Sequence, residues 1–337
     1  MSVTDKYIFV KQEQVMSGQA ESIETMRAVR FHQFGEPSSV LRMEQVSIPY
    51  PDAGLIRVRV VACGLNPSDW ALCRGLFPGN MPRGIGLDVS GIVDAVANDV
   101  QGIAVGDAVF GAADYANCFS AGAADHAIMK HWTLVPEGLS MESAAAIPLA
   151  AETAFRSLER FGADQGCTVL VHGAGTTVGF AAVQLALMKG FRVVATAGAT
   201  YSVKLAELGA LVTNYGDGMV ERVEALVNGH PDFVLDTAPP SGVLPDLVKI
   251  AGGDTKRVLT ITDFTTADAL GVRHSFSESH PERWDMLGEF ARLAAEGKLF
   301  VPIARVLPLE AWREAMAISL SGQARGKILL KPRAEDM

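Results

Sequence analysis

The run Thr168-Val-Leu-Val-His-Gly-Ala-Gly-Thr-Thr-Val-Gly179 constrains the fold of this chain more than any other stretch. Val169, Leu170 and Val171 form the short apolar, β-branched run of a buried parallel strand. Gly173, Gly175 and Gly179 then permit a tight turn, a close backbone approach and close helix packing. Val178, Ala182 and Leu185 follow at i, i+4 and i+7, one apolar helix face. A strand, a glycine turn and a helix N-terminus with bare amides together suit a pyrophosphate. The spacing G-x-G-x-x-x-G is one residue longer than the usual dinucleotide fingerprint. No Lys-Ser/Thr follows the last glycine, which argues against a nucleoside-triphosphate loop.

A second apolar strand, Phe191–Ala197, ends in Thr196-Ala197-Gly198. A site selective for NAD places a carboxylate about 20 residues beyond the glycines. Here Thr200, Tyr201, Ser202 and Lys204 stand instead, hydroxyls and a cation that suit a 2′-phosphate. The expected cofactor is therefore NADPH, the competing role for Lys204 being an ordinary solvated helix lysine.

Around this motif, strands are expected at 168–173, 191–197, 211–215, 232–237 and 256–262. Helices are expected near 177–190, 201–208, 217–228 and 241–251. That alternation predicts an α/β fold with a doubly wound parallel sheet over residues 150–273. Residues 26–149 read differently, as short strands without intervening helices: Arg27–Phe34, Leu41–Ile48, Leu55–Ala62, Gly91–Val96, Ala108–Phe110 and His126–Lys130. They predict a compact, barrel-like β module. The tail, with helices near 282–296 and 309–320 and a last strand Lys327–Leu330, is expected to return to that module. The second domain would then be discontinuous, 26–149 with 274–333. Residues 1–25 are polar and read as a loosely ordered extension.

The 337 residues carry a formal charge of −9 with no basic run, which argues against nucleic acid as a partner. No apolar stretch approaches the roughly 20 residues of a membrane span, and no signal peptide is recognised. Cys63, Cys73, Cys118 and Cys167 are scattered, giving neither a disulfide framework nor a metal knuckle. A cytoplasmic location is expected.

The order of motifs over residues 26–331 resembles the medium-chain dehydrogenase/reductase superfamily. The likeness rests on Cys63-Gly-Leu-Asn-Pro-Ser-Asp69, Gly86-Leu-Asp-Val-Ser-Gly91, the Ala144–Phe155 stretch, the glycine turn and Gly326-Lys-Ile-Leu-Leu330. It implies a Rossmann domain beside a GroES-like catalytic domain. Zinc-dependent members place metal ligands where this chain has Asn66, Leu87 and Leu149, and leucine cannot ligate. No bound metal is therefore expected. The remaining likeness is to the zinc-independent quinone oxidoreductase (zeta-crystallin-like) branch. It implies hydride transfer from NADPH to a small-molecule quinone or an α,β-unsaturated carbonyl, in a homodimer joined near Lys256–Asp263. Two alternatives stay open: a catalytically silent NADPH-binding sensor or regulator, and a carbonyl/alcohol dehydrogenase of the same superfamily.

The resemblance also suggests site residues. Asn66 either donates to the substrate carbonyl or positions the nicotinamide, or only shapes the turn before Pro67. Asp69 caps a short helix or moves a proton, and Trp70 packs or walls the site. Phe77 stands where many relatives carry a tyrosine, and Ala71 where some carry a second, so the proton is left to come from solvent, from Ser68 or from the substrate itself. Thr153 begins a helix bordering the nicotinamide, where its hydroxyl either contacts the carboxamide or caps the helix. Ala174, Thr176, Thr177 and Val178 line the phosphate turn with the glycines. Thr196, Gly198, Ser202, Lys204, Tyr215, Asp236, Thr237 and Ile261 edge the cofactor, core packing being the competing role for Tyr215. Lys327 neutralises the cofactor or is a solvated strand end. Loops near 66–83, 114–123 and 263–281 are expected to shape the cleft.

Overall fold

The computed structural model describes residues 24–333 apart from Pro78 and Glu278. Nearly all of the polar extension expected over 1–25 lies outside the described residues. The first half of the chain contributes β1 (Thr25–Phe31), α1 (Pro37–Val40), β2 (Arg42–Ser47), β3 (Ile56–Leu65), α2 (Pro67–Cys73), β4 (Arg83–Gly84), β5 (Asp88–Val96), β6 (Ala108–Ala113) and β7 (His126–Leu134). Two helices, α3 (Met141–Ala146) and α4 (Pro148–Glu159), lead into β8 (Thr168–His172), α5 (Thr177–Met188), β9 (Arg192–Thr196), α6 (Ala199–Glu207) and β10 (Leu211–Thr213). Next come α7 (Met219–Val227), β11 (Phe233–Asp236), α8 (Leu244–Ile250), β12 (Val258–Thr260), α9 (Phe264–Leu270) and β13 (Arg273–His274). The chain ends through α10 (Leu287–Ala295), β14 (Ile303–Pro308), α11 (Trp312–Leu320) and β15 (Lys327–Lys331).

The parallel sheet has the order β10-β9-β8-β11-β12-β13, the doubly wound arrangement whose direction reverses beside β8. Ligands bind such sheets at the carboxyl ends of the strands, where the strand order turns. The sixth strand, β13, has only two residues and no sequence signal of its own. Its presence makes β12 an interior strand, so Lys256–Asp263 is not the sheet edge expected to join two copies. Helix α5 lies between this sheet and α4, with Gly179–Ala186 continuously buried. That setting explains why it is apolar nearly all round instead of along one stripe. Burying side chains such as Phe180, Val183 and Leu185 contributes roughly 1.5–3 kcal/mol each.

The other large sheet has the order β14-β15-β3-β5-β6-β7, and β3 also pairs with β7. Strand β3 is long enough to serve three partners. Ile56–Arg59 meets β7, Cys63–Leu65 meets β15, and the opposite edge meets β5. The ring β3-β5-β6-β7 so formed leaves no open edge between its members. Most expected strands here run longer than their apolar cores: β3 by three residues to Leu65, β5 from Asp88, β6 to Ala113 and β7 to Leu134. The first strand stops early, at Phe31 instead of Phe34. The last strand, β15, lies against β3, which brings Lys327 to the start of α2.

Candidate active site

The glycine turn divides its labour by position. Gly173 has φ +75°, and a methyl group there would lie 2.6 Å from the Ala238 nitrogen. At Gly179 a methyl group would lie 2.3 Å from the Gly173 carbonyl oxygen and 2.6 Å from Thr237 Oγ1. These two glycines are required by the protein's own packing. Gly175 is different, for a methyl group there would meet only Tyr201 Cδ2, at 3.4 Å. Thr176 caps α5 by accepting from the Gly179 amide at 3.0 Å. The amides of Gly175, Thr177 and Val178 have no acceptor among the described residues. A space over Gly175, ringed by free N–H groups at a helix N-terminus, is the cradle a pyrophosphate needs. Ala174 is wholly buried, and its amide donates to Thr196 O at 3.0 Å.

Several residues expected to edge the cofactor instead brace this turn. Thr196 Oγ1 accepts from Gly173 N at 3.2 Å and bonds His172 Nδ1 at 2.8 Å. Thr237 Oγ1 donates to the carbonyls of His172 and Gly173 and accepts from Thr176 Oγ1. Asp236 accepts from Thr260 Oγ1 and from Ala238 N, and burial pushes its carboxyl up to about 6. Burial drives His172 the other way, down to about 4, so it stays neutral. Ile261 N donates to Asp236 O at 3.1 Å, joining the ends of β11 and β12. All these side chains sit at the carboxyl edge, but their polar atoms are committed to the scaffold.

Gly198 caps α6, and Tyr215, 55% exposed, stands beside it with its hydroxyl 3.5 Å from where a Gly198 methyl group would be. Tyr215 is therefore a surface residue of this edge and not a core one. Ser202 Oγ donates to Ala199 O at 3.4 Å, within the helix. Lys204 pairs with Glu207 at 3.3 Å and lies 5.8 Å from the centre of the Phe300 ring. One cation near the cradle was not picked out from the sequence. Arg325, at φ +56°, accepts at its carbonyl from the hydroxyl of Tyr201, whose ring borders Gly175. Among the described residues its guanidinium reaches only Gln323 Oε1, at 3.4 Å. Those 124 residues between Tyr201 and Arg325 are bridged only by the fold.

A second, drier cluster forms where α2 leaves β3. Asn66, Asp69, Asp88 and Lys327 are 3%, 0%, 0% and 1% exposed. Lys327 Nζ donates to Asn66 Oδ1 at 2.5 Å and pairs with Asp88 Oδ2. Asp88 also accepts from Asn66 Nδ2 at 3.0 Å and from Leu149 N at 2.8 Å. Asn66 Nδ2 reaches Gly64 O as well, at 3.4 Å. Gly64 makes room for the lysine stem, since a methyl group there would lie 2.6 Å from Lys327 Cε. Lys327 is thus neither a solvated strand end nor a free cation for a cofactor, and the Asn66 amide is spent within the cluster. Asp69 closes a capping box on α2, accepting from Asn66 N at 2.7 Å and from Gly86 N at 2.6 Å. Burial first, and the neighbouring Asp88 next, raise its carboxyl to about 7. Trp70 is buried in the barrel core with Nε1 donating to Ser319 Oγ at 2.8 Å, so it packs and does not wall the site.

Thr153 sits in the middle of α4, not at its start, and Pro148 holds the first turn. Its hydroxyl reaches the buried Glu152 at 3.3 Å, and Glu152 holds Arg156 and the amide of Arg283. Above this helix the expected cleft loops meet through aromatic rings. Phe77 contacts Tyr115 edge-on at 6.5 Å and Phe276 at 6.0 Å, and Phe276 contacts Phe264 at 5.0 Å. Buried Arg83 fastens two of these loops, donating to Phe77 O at 2.5 Å and to Tyr115 O at 3.2 Å.

Comparison with known proteins matches residues 52–148 to the alcohol dehydrogenase GroES-like domain and residues 208–330 to zinc-binding dehydrogenases. The chain belongs to the medium-chain dehydrogenase/reductase superfamily. It is 37% identical over 183 residues to a quinone oxidoreductase from Lama guanicoe, covering 51% of this chain and 53% of that protein. A human quinone oxidoreductase is 34% identical over 185 residues, 53% and 55% of the two chains. These alignments span about half the length of the curated relatives. Among solved structures, the quinone oxidoreductase from Coxiella burnetii superposes with a TM-score of 0.75 at 27% identity, covering 92% of this chain and all of that one.

Within this superfamily a zinc ion does not fit the present residues. Around Asp88 stand Asn66, Leu87 and the Leu149 amide, and the Lys327 ammonium already neutralises the carboxylate. Among the described residues no three His, Cys, Asp or Glu side chains come together to hold a metal. A nicotinamide dinucleotide does fit, on the open space over Gly175 and its free amides. Among the described residues no helix is long and apolar enough to cross a membrane.

Proposed function

We propose that this medium-chain oxidoreductase uses NADPH to reduce quinones or α,β-unsaturated carbonyl compounds, and that it does so without a metal. The observation that carries the proposal is the pairing of a cradle open to a pyrophosphate with a metal position filled by Lys327, Asp88 and Asn66. The dinucleotide supplies the hydride when bound. The chain's own residues hold it at Gly173–Gly179, keep the cleft dry with aromatic rings, and set the acceptor against it. Ser202, Lys204 and Arg325, with no carboxylate between Thr196 and Lys204, favour the 2′-phosphate of NADPH over the bare ribose of NADH.

The division into 26–149 with 274–333 and 150–273, the cytoplasmic location and a homodimer belong to the same proposal. For the homodimer, the free edge at β13 replaces the interior strand β12 as the joining strand. The test is titration of both reduced nucleotides into the protein in chelator-treated buffer, followed by NADPH oxidation with 1,4-benzoquinone and with 2-cyclohexenone. NADPH binds more tightly than NADH, and Lys204→Ala narrows that gap about tenfold, the worth of one charge-assisted contact. Binding of neither nucleotide would overturn the proposal.

A further inference from the structure

A hydride added to a carbon conjugated with a carbonyl leaves an enolate, which needs a proton from a positioned acid. Most polar groups at the start of α2 are poorly placed to give one, and the buried Ser68 hydroxyl, though without a hydrogen-bond partner among the described residues, is a far weaker acid than a phenol. Asn66 and Asp88 are tied to Lys327, Asp69 is sealed between two amides, and Phe77 carries no acidic proton. Tyr115 stands in another situation. Strands β5 and β6 pair Asp88 with Ala112, and Ala113 N donates to Leu87 O at 3.0 Å. The chain therefore leaves β6 beside the buried cluster and delivers Tyr115 two residues later, edge-on to Phe77. Tyr115 lines a cavity of about 80 Å³ with Asp114, His131, Glu282 and Trp284. That cavity adjoins another of about 240 Å³, sharing Lys130, His131 and Trp284 with it. The Tyr115 hydroxyl has no hydrogen-bond partner among the described residues.

Its electrostatic surroundings suit a proton donor. Arg83 is 1% exposed, bonds only main-chain carbonyls, and has no carboxylate partner among the described residues. Its guanidinium lies 6.0 Å from the centre of the Tyr115 ring. A fixed cation beside a phenol lowers the cost of the phenolate left after proton transfer. Burial, and then Glu282, Asp114 and Glu152, hold the phenol above its ordinary range, while Arg83 pulls it down. The group is therefore protonated at neutral pH, ready to donate.

We propose, resting on the reductase reading above, that Tyr115 is the catalytic acid of this cleft, protonating the enolate of an α,β-unsaturated carbonyl acceptor, with Arg83 as its positioning residue. The step balances. Hydride from the reduced nicotinamide forms the new C–H bond at the β-carbon, and the alkene π pair becomes the enolate. The Tyr115 O–H bond breaks, its proton forms the α C–H bond, and the phenolate recovers a proton from water. A quinone depends on this far less, because hydroquinone oxygens exchange protons with solvent directly.

The experiment compares the wild-type chain with Tyr115→Phe, which keeps the ring and its contact with Phe77. Equal thermal midpoints and equal NADPH affinity establish that the variant is folded. The ratio of 2-cyclohexenone to 1,4-benzoquinone turnover falls about 10²-fold, the usual worth of a general acid, through kcat more than KM. In the cofactor-free protein, ultraviolet difference titration shows that the phenol lost in the variant ionises above the ordinary tyrosine range near 10. An unchanged ratio, or a lost phenol that ionises as an exposed one, overturns the proposal. So does a wild-type chain that reduces the quinone but no enone, and that result leaves the reductase reading standing. A chain that binds neither reduced nucleotide removes both.

Discussion

Replacing Lys327 by methionine isolates the most consequential charge in the structure. Methionine keeps an unbranched stem against Gly64 but removes the ammonium, so the change is electrostatic and not a cavity. Asp88 then keeps two donors, Asn66 Nδ2 and Leu149 N, and loses its one cation among the described residues while remaining fully buried. Asn66 Oδ1 loses its partner in the same step. Removing one member of a buried pair costs about 3–5 kcal/mol, because the remaining charge has no water to turn to. An orphaned amide oxygen alone costs about 1–3 kcal/mol, so much of that total is accounted for by named atoms. At roughly 2–4 °C per kcal/mol for a unit of this size, the thermal midpoint falls on the order of 10 °C. Asp88→Asn strands the ammonium instead, and the double variant Asp88→Asn/Lys327→Met removes both charges. Scanning calorimetry on the four proteins completes a double-mutant cycle. The double variant should lose less than the sum of the single losses, by about 0.5–3 kcal/mol. A Lys327→Met protein within 1 °C of wild type, or strict additivity around the cycle, would refute the view that this pair is a closed, mutually dependent unit.

The glycine turn gives a contrast within one motif. Gly175→Ala keeps the wild-type midpoint but weakens NADPH binding at least tenfold, about 1.4 kcal/mol, because its methyl group occupies the cradle. Gly179→Ala should destabilise by about 1–3 kcal/mol through overlap with Gly173 O, although helix propensity alone would stabilise it by about 1 kcal/mol. A more stable Gly179→Ala protein would refute the packing role. Asp69 supplies a pH dependence. Its folded value of about 7 lies above the ordinary 3.8, so its stabilising contribution is complete below about pH 4 and is lost as pH rises through 7. The midpoint of wild type relative to Asp69→Asn therefore falls between about pH 4 and pH 7, and a flat difference across that window would contradict a buried, proton-holding carboxyl.

The parallel sheet was legible because each of its main strands is an apolar run bounded by glycines and followed by a helix. Strand β13 was not, since two residues carry no period and exist as a strand only through pairing with β12. The loops of the cleft were legible as loops, but their contacts were not. Nothing local marks Tyr115 as the neighbour of Phe77, or Arg325 as the neighbour of Tyr201. Lys327 shows the limit most clearly. A lysine after glycine at a strand start reads as solvated, and only pairing of β15 with β3 carries it to Asp88, 239 residues away. Similarly, Trp70 reads as a wall or as core until Ser319 is known to lie 2.8 Å from its indole nitrogen.

Local chemistry thus set the cradle, while topology set the charge cluster, and the two differ in what they demand of evolution and design. The cradle uses main-chain amides and an absent side chain, so a short segment can encode it almost alone. The cluster needs β3, β5, α2, α4 and β15 to converge before a single ion pair can form. A catalytic zinc can leave one of its four positions to water. A buried ammonium cannot, because each donor must find an acceptor within the protein. The Lys327–Asp88 pair therefore makes this cluster a fixed part of the fold. In the proposed reductase, groups that respond to an acceptor come from outside it, from the aromatic loops where Tyr115 and Arg83 meet.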